Sequence, residues 1–176
     1  MTLQIRPAVA ADAAALAAVA AVTFPLACPP HTTDEAKADF IATHLREANF
    51  HDYLADPERD LFVAEDEGRA LGYTMLVAGD PTDEDVAAAI TTRPTVELSK
   101  VYVLPDVHGG GVAAALVAAS IEAARARGAA AVWLGVNQEN GRANRFYEKT
   151  GFALVGEKRF LVGDRYEDDF VRELVL

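Results

Sequence analysis

Apolar and polar positions alternate over residues 3–6, which predicts a short strand, and then the period changes: Asp12, Leu16, Val19 and Thr23 recur at helical spacing in an alanine-rich segment. The Pro-rich stretch at residues 24–30 is expected to interrupt this helix. Thr32, with Glu35 three residues later, reads as a capping box that opens a second amphipathic helix carrying Phe40, Ile41, His44, Leu45 and Ala48. Two apolar runs, 61–64 and 71–77, flank a charged turn at 65–69 and predict a hairpin. Residues 80–85 are polar and read as an exposed loop. It leads into a short alanine-rich helical turn before a strand at 95–104.

From Thr95 the order is strand, glycine loop, helix, strand, helix, strand. The helix at 112–127 places Ala113, Val117, Ile121 and Ala124 on one face and Glu122 and Arg125 on the other, and Gly128 stops it. Residues 131–136 form a strand, and 141–150 a helix closed by Gly151. Three further strands are expected at 152–155, 159–162 and 169–176, the last two joined around Gly163 and Asp164. Strands alternating with helices, with antiparallel hairpins at both ends, give an α/β or α+β fold. Its centre is a mixed, mostly antiparallel sheet flanked by helices.

Composition narrows the picture. A chain of 176 residues, 51% of them hydrophobic, can bury one sizeable core, so a single domain over residues 1–176 is expected. The alanine-rich stretches are broken by Asp12, Glu122 or Arg125 and fall short of the roughly 18 to 20 uninterrupted apolar residues of a membrane span. The first residues lack a basic segment followed by an apolar one, so a soluble, cytoplasmic protein is the expectation. A net charge of -11 argues against an extended nucleic-acid interface and is compatible with a cationic substrate. Cys28 stands alone in the Pro-rich stretch and reads as a small apolar residue. No Cys/His cluster has zinc spacing, so no metal is expected.

The candidate chemistry begins at His108, Gly109, Gly110, Gly111, Val112 and Ala113, between a strand and a helix. Free backbone N–H groups and the helix dipole at such a junction suit anionic phosphates, and the glycines let the backbone approach them closely. The loop lacks the Gly-Lys-Ser/Thr of a P-loop and the register of the dinucleotide fingerprint. Its likeness to the oxyanion loop of lipases has no Gly-x-Ser-x-Gly elbow to accompany it.

Val103-x-Pro105-x-x-His108-x-x-Gly111-x-Ala113 resembles the acetyl-CoA signature of the GNAT superfamily of N-acetyltransferases, with His108 where that signature has Gln or Arg. Downstream, 133–137 and 143–152, with Ala143, Asn144, Phe146, Tyr147, Gly151 and Phe152, are similar to the family's next strand and helix. The resemblance is close over residues 95–156. It implies acetyl-CoA as co-substrate and a direct transfer to a primary amine in a ternary complex. It also implies a strand at Val101, Tyr102 and Val103 that splays from its neighbour to pair with the pantetheine arm, the N–H of Val103 aimed at the thioester oxygen. The loop from His108 to Ala113 would hold the pyrophosphate, and Asn137, Asn144 and Tyr147 would complete the cofactor site.

In similar enzymes the Tyr protonates the departing thiolate and a strand Glu takes the amine proton, roles that fall here to Tyr147 and Glu97. Asn140, Asn144 and Tyr147, spaced i, i+4, i+7, share one helical stripe that can face a ligand, with Ala143, Phe146 and Thr150 on a neighbouring stripe suited to the core, and for Asn140 the helix N-cap reading is favoured. The stretches 97–103 and 133–136 are similar to a branch that includes bacterial polyamine acetyltransferases, so small cationic amines are the first expectation for the acceptor, with peptides open. Dimerisation is compatible with the family. The rival reading is an acetyl-CoA-binding regulatory or sensor module without turnover, whose mark would be loss of the acid at Tyr147.

Overall fold

The strands are β1 (Gln4–Pro7), β2 (Arg59–Asp66), β3 (Arg69–Ala78), β4 (Thr95–Val103), β5 (Ala131–Asn137), β6 (Ala153–Val162) and β7 (Arg165–Val175). In the computed structural model, which describes residues 1–176, they form one sheet in the order β1-β2-β3-β4-β5-β7-β6. Every neighbouring pair is antiparallel except β4 and β5. Six helices, α1 (Ala13–Ala27), α2 (Asp34–His44), α3 (Glu47–Ala55), α4 (Glu84–Ala89), α5 (Val112–Ala126) and α6 (Gly141–Thr150), cover the two faces. This is the mixed, mostly antiparallel sheet flanked by helices that the element order predicts.

The faces are assigned by which strand positions each helix buries. On one, Leu16, Val19, Ala20 and Phe24 of α1 and Phe50 of α3 pack against Leu61, Val63, Tyr73 and Met75. The same face carries Val86 of α4 against Trp133 and Val171. On the other, Val117 and Ala124 of α5 and Tyr147 of α6 pack against Leu76, Val96, Leu98, Val132 and Leu134. Val112 and Leu116 close that core against Ala64 and Leu71. The buried side of α5 thus runs through Val112, Leu116, Val117, Ser120 and Ala124 rather than through Ala113 and Ile121. Ser120 is tolerated there because its hydroxyl bonds Thr74 on β3 at 2.8 Å.

Several expectations are corrected in the first third of the chain. α1 does not stop at the Pro-rich stretch but carries Pro25 inside its last turn, and Cys28 Sγ donates to the Phe24 carbonyl just beyond. With the preceding 3-10 turn it makes an 18-residue helical run, Ala10–Ala27, long and apolar enough by length and composition to cross a bilayer. Asp12 lies too near its start to shorten it, and Ala13, Leu16, Val19, Ala20, Thr23 and Phe24 are buried inside the protein. The cap of α2 is Thr33, whose hydroxyl accepts from the Ala36 N–H, not Thr32. The second helix also ends at His44, and a separate α3 follows, its entry fixed by Asn49 Oδ1 accepting from the Arg46 N–H at 3.0 Å. At the other end the two short strands expected at 152–155 and 159–162 are one, β6, with a bulge between Leu154 and Gly156.

β4 determines where a site can form. It pairs with β5 only from Thr95 to Glu97, opposite Ala131 to Trp133, and beyond that the strands part. On its other side it stays paired with β3 to Val103 but holds one extra residue: Met75 faces Lys100 and Leu76 faces Leu98, leaving Ser99 as a bulge. The bulge changes which side chains share a face. Glu97, Lys100 and Tyr102 lie opposite Val77, Met75 and Tyr73 on the α1 side, while Val101 lies opposite Thr74 on the α5 side. Gly72 makes the close β3–β4 approach possible, since a Cβ there would stand 2.7 Å from the Tyr102 carbonyl oxygen and 3.0 Å from Val103 Cγ2. Gly72→Ala is expected to destabilise the fold by about 1–3 kcal/mol, the usual cost of an overpacked methyl, read as a lower urea midpoint at unchanged slope.

Candidate active site

Where β4 and β5 part, two cavities open and meet. The first, about 490 Å³, lies between the end of β4, the glycine loop and the start of α6. Leu104 N–H bonds Leu71 O on β3 at 2.8 Å, so by strand alternation the backbone groups of Val101 and Val103 point the other way, into the gap. No side chain caps α5, so its first N–H groups are free at the same opening. Gly109 and Gly111 hold φ of +82° and +81° with open space where a Cβ would be, so backbone conformation rather than crowding calls for glycine there.

Of the residues the resemblance points to, Val101, Tyr102, Val103, His108, Gly109, Gly111, Val112, Ala113 and Tyr147 line this cavity. Three do not. Gly110 turns back, its N–H on Val107 O. Asn137 faces the second cavity and accepts from the Glu139 N–H. Asn144 lines neither: its amide donates to Asn137 O and Asn140 O, and its carbonyl oxygen accepts from Arg172 Nε at 3.0 Å. The cavity-lining stripe of α6 descends through Asn140, Ala143 and Tyr147, steps of three and then four, and the equally helical step through Asn144 leads to the sheet side. Asn144 therefore ties the β5–α6 corner together. Asn140 is the N-cap, accepting from Ala143 N–H, and also lines both cavities.

His108 does not reach outward. Its Nε2 donates to Val103 O at 2.9 Å, and Arg142 Nη1 meets its Nδ1. A guanidinium can only donate, so Nδ1 accepts and the proton is assigned to Nε2. The pair spans the cavity from β4 to α6 and brings to its rim an arginine that the sequence motif did not mark.

The second cavity, about 560 Å³, lies on the α1 side among the ends of α1 and α2 and the strands β4 to β7. Its wall is aromatic, with Phe24 and Phe40 stacked at 4.4 Å and Phe160 5.6 Å from Phe40. It also holds Glu97, Lys100, Lys158, Glu167 and Asp169. Ala27, Val101, Tyr102, Asn140, Ala143 and Tyr147 line both cavities, so Tyr147 stands where they join.

The profile of the acetyltransferase (GNAT) family matches residues 25–152, which contain the whole of this junction except the strands β6 and β7. The chain belongs to the GNAT family. An uncharacterized N-acetyltransferase of Mycobacterium tuberculosis is 49% identical over 166 residues, which span 93% of this chain and 99% of that protein. Among solved structures, the PaiA N-acetyltransferase of Thermoplasma acidophilum in complex with coenzyme A matches the fold with a TM-score of 0.81, at 17% identity and full coverage of both chains. YncA of Salmonella typhimurium, solved with its cofactor acetyl-CoA, gives 0.65 at 24% identity, covering 100% of this chain and 95% of that one.

The electrostatics of this GNAT protein are concentrated in the second cavity. Burial pushes the Glu97 carboxyl up from its ordinary value, against the pull of Lys158, Lys100 and Arg59. Asp169 is pushed up to about 6 by burial, with Lys158 at 3.9 Å opposing and Glu167 and Asp168 adding to the rise. Burial pulls the Lys100 ammonium down and pushes the Tyr147 phenol further up, so that Tyr147 is a neutral donor at any working pH. Gly135 provides the room for Lys158, whose Cε lies 2.5 Å from where a Cβ would be.

Asp169, Lys158 and Lys100 were not marked by the sequence motifs. One signal was present: Glu167, Asp169 and Glu173 share the β7 parity of buried Val171, an unusual place for three carboxylates. Glu173 has a structural role, accepting from the N–H groups of Thr91 and Thr92. Asp169 should be visible in stability. In the unfolded chain it releases its proton near the ordinary 3.8 and in the folded protein near 6, so between these values the native state binds more protons and stability falls as pH rises. Urea midpoints from pH 4 to 7 are expected to show that fall in the wild type relative to Asp169→Asn, in which this contribution is absent.

Proposed function

We propose that the protein transfers an acetyl group from acetyl-CoA to a primary amine by direct attack in a ternary complex, with the cofactor in the first cavity and the acceptor in the second. The observation that carries this is the position of Tyr147 at the junction of the two cavities, beside the free backbone edge of Val101 and Val103. When bound, acetyl-CoA supplies an acetyl group activated as a thioester. The residues fit it: an uncapped helix start with two positive-φ glycines suits a pyrophosphate, and an unpaired strand edge suits an amide-bearing arm. Arg142, at the rim through His108, adds a cation within reach of such phosphates.

The remaining chemistry belongs to the chain. An alkylammonium must lose a proton before its nitrogen can attack, and Glu97, raised toward neutrality by burial, takes it directly or through water. The Val103 N–H polarises the thioester carbonyl. As nitrogen bonds the acyl carbon and the carbon–sulfur bond breaks, the nitrogen releases its second proton to solvent, while the Tyr147 hydroxyl gives its proton to the leaving sulfur and regains one from solvent.

Two measurements test these roles through release of free thiol. Tyr147→Phe is expected to lower kcat by about 100-fold or more, the scale of general acid catalysis, at unchanged affinity for acetyl-CoA; full turnover in that variant rejects the acid. Activity in the wild type is expected to rise with pH as the base ionises. Glu97→Gln is expected to lose that limb, and its persistence transfers the role of base to Asp169.

A further inference from the structure

The acceptor cavity contains more charge than an amine alone requires, and most of it is already matched. Lys158 faces Asp169 at 3.9 Å and lies over the Phe160 ring at 5.2 Å. Glu167 accepts from His31 at 2.7 Å and has Arg165 at 3.7 Å. Arg59, beside the cavity, pairs with Asp56 at 3.0 Å and covers the Tyr53 ring. Glu97 and Lys100 are left, both half-buried and neither in a salt bridge or side-chain hydrogen bond with the protein.

The bulge at Ser99 puts these two on one face. Their β3 partners, Val77 and Met75, are two residues apart, so the two positions are separated by about 7 Å along the strand at a rise of about 3.4 Å per residue. A carboxylate and an ammonium so placed, facing one cavity without forming a salt bridge to each other, complement a ligand that carries the opposite charges on neighbouring atoms. An ammonium and a carboxylate on one carbon, each reaching about 3 Å to its counter-charge, fit two side chains that rise from neighbouring positions of one strand face.

We infer that the acceptor of this acetyltransferase is an α-amino acid with an apolar or aromatic side chain, its amino group held at Glu97, its carboxylate at Lys100 and its side chain against Phe24, Phe40 and Phe160. The inference rests on the acetyl-transfer reading above. It departs from the polyamine expectation: a chain of ammonium groups would bring its second charge toward Lys100 and Lys158, whereas an adjacent carboxylate gives Lys100 the partner it lacks. Desolvation already disfavours the Lys100 ammonium, and an arriving carboxylate reverses that cost.

The test uses the full chain with acetyl-CoA, a free-thiol assay, and matched acceptors: L-phenylalanine, L-leucine and L-methionine, each beside the amine left by removing its carboxylate, with spermidine as the polyamine. At least one amino acid is expected to exceed its amine and spermidine by about tenfold or more in kcat/KM, the scale of one charge-assisted contact. In Lys100→Met that ratio is expected to fall toward one through a higher KM for the amino acid. Acetylation of the amines or spermidine as fast as every amino acid overturns the inference and leaves acetyl transfer standing, as does a ratio that survives in Lys100→Met. Calorimetric binding of acetyl-CoA with no amino acid acetylated also overturns it. Absence of both acetyl-CoA binding and thiol release from every acceptor is the distinct failure of the acetyl-transfer reading itself.

Discussion

The parting of β4 and β5 after three paired residues is the constraint on which the rest of the molecule depends. Parallel neighbours inside a sheet ordinarily satisfy each other's backbone groups, and unpaired buried N–H and C=O groups are costly. Here β5 keeps β7 along its far edge, Ala131 to Asn137, while its near edge leaves β4 after Trp133. The inner edge of β4 therefore faces a gap. His108 satisfies one of its carbonyls, that of Val103, and on the proposed reading the free groups of Val101 and Val103 pair with a ligand that has amide groups of its own. Binding such an arm in effect completes the sheet. This explains why the glycine loop, the uncapped α5 and Tyr147 all gather at this opening.

The bulge at Ser99 is the second device, and it acts through parity. Without an extra residue, strict alternation would place Glu97 and Lys100 on opposite faces of the sheet. With it, the α1 side receives both charges and Tyr102, while Val101 stays on the α5 side under the cofactor cavity. One inserted residue thus divides β4 into a backbone edge that suits a cofactor and a side-chain face that suits an acceptor. Gly72 and Gly135 serve the same arrangement by absence of a side chain, the first letting β3 close on β4 and the second leaving space for Lys158.

What was legible in the sequence follows from how local each signal is. The glycine loop, the stops at Gly128 and Gly151, both with positive φ, and the hairpin turn are set by a few adjacent residues, and they stand where the sequence puts them. The order of strands and helices after Thr95 is equally local. Features that depend on partners distant in the chain were not legible. Pro25 continues in a helix whose face is held by the core, and α3 separates from α2 through a side chain, Asn49, that reads equally well as helix interior. Steps of three and of four are both helical, so periodicity alone could not choose Ala143 over Asn144 for the cavity-lining stripe. Arg172, 28 residues away, fixes the choice by bonding Asn144. Lys158 and Asp169 acquire meaning only once β6 and β7 pair, because neither belongs to a motif.

The same distinction governs charge. A net charge of -11 suggests attraction of cations, yet it is a property of the whole surface, and salt screens such a field over about 10 Å. Inside a cavity with an aromatic wall the few charges present act on a ligand at short range, and there two lysines stand among three carboxylates. With Lys158 matched to Asp169 and Glu167 to Arg165, the unmatched remainder is one charge of each sign, a dipole rather than a sink for cations. On the proposed reading, the order of Glu97 and Lys100 along β4 selects the acceptor, and the bulge is what turns both side chains into the same cavity.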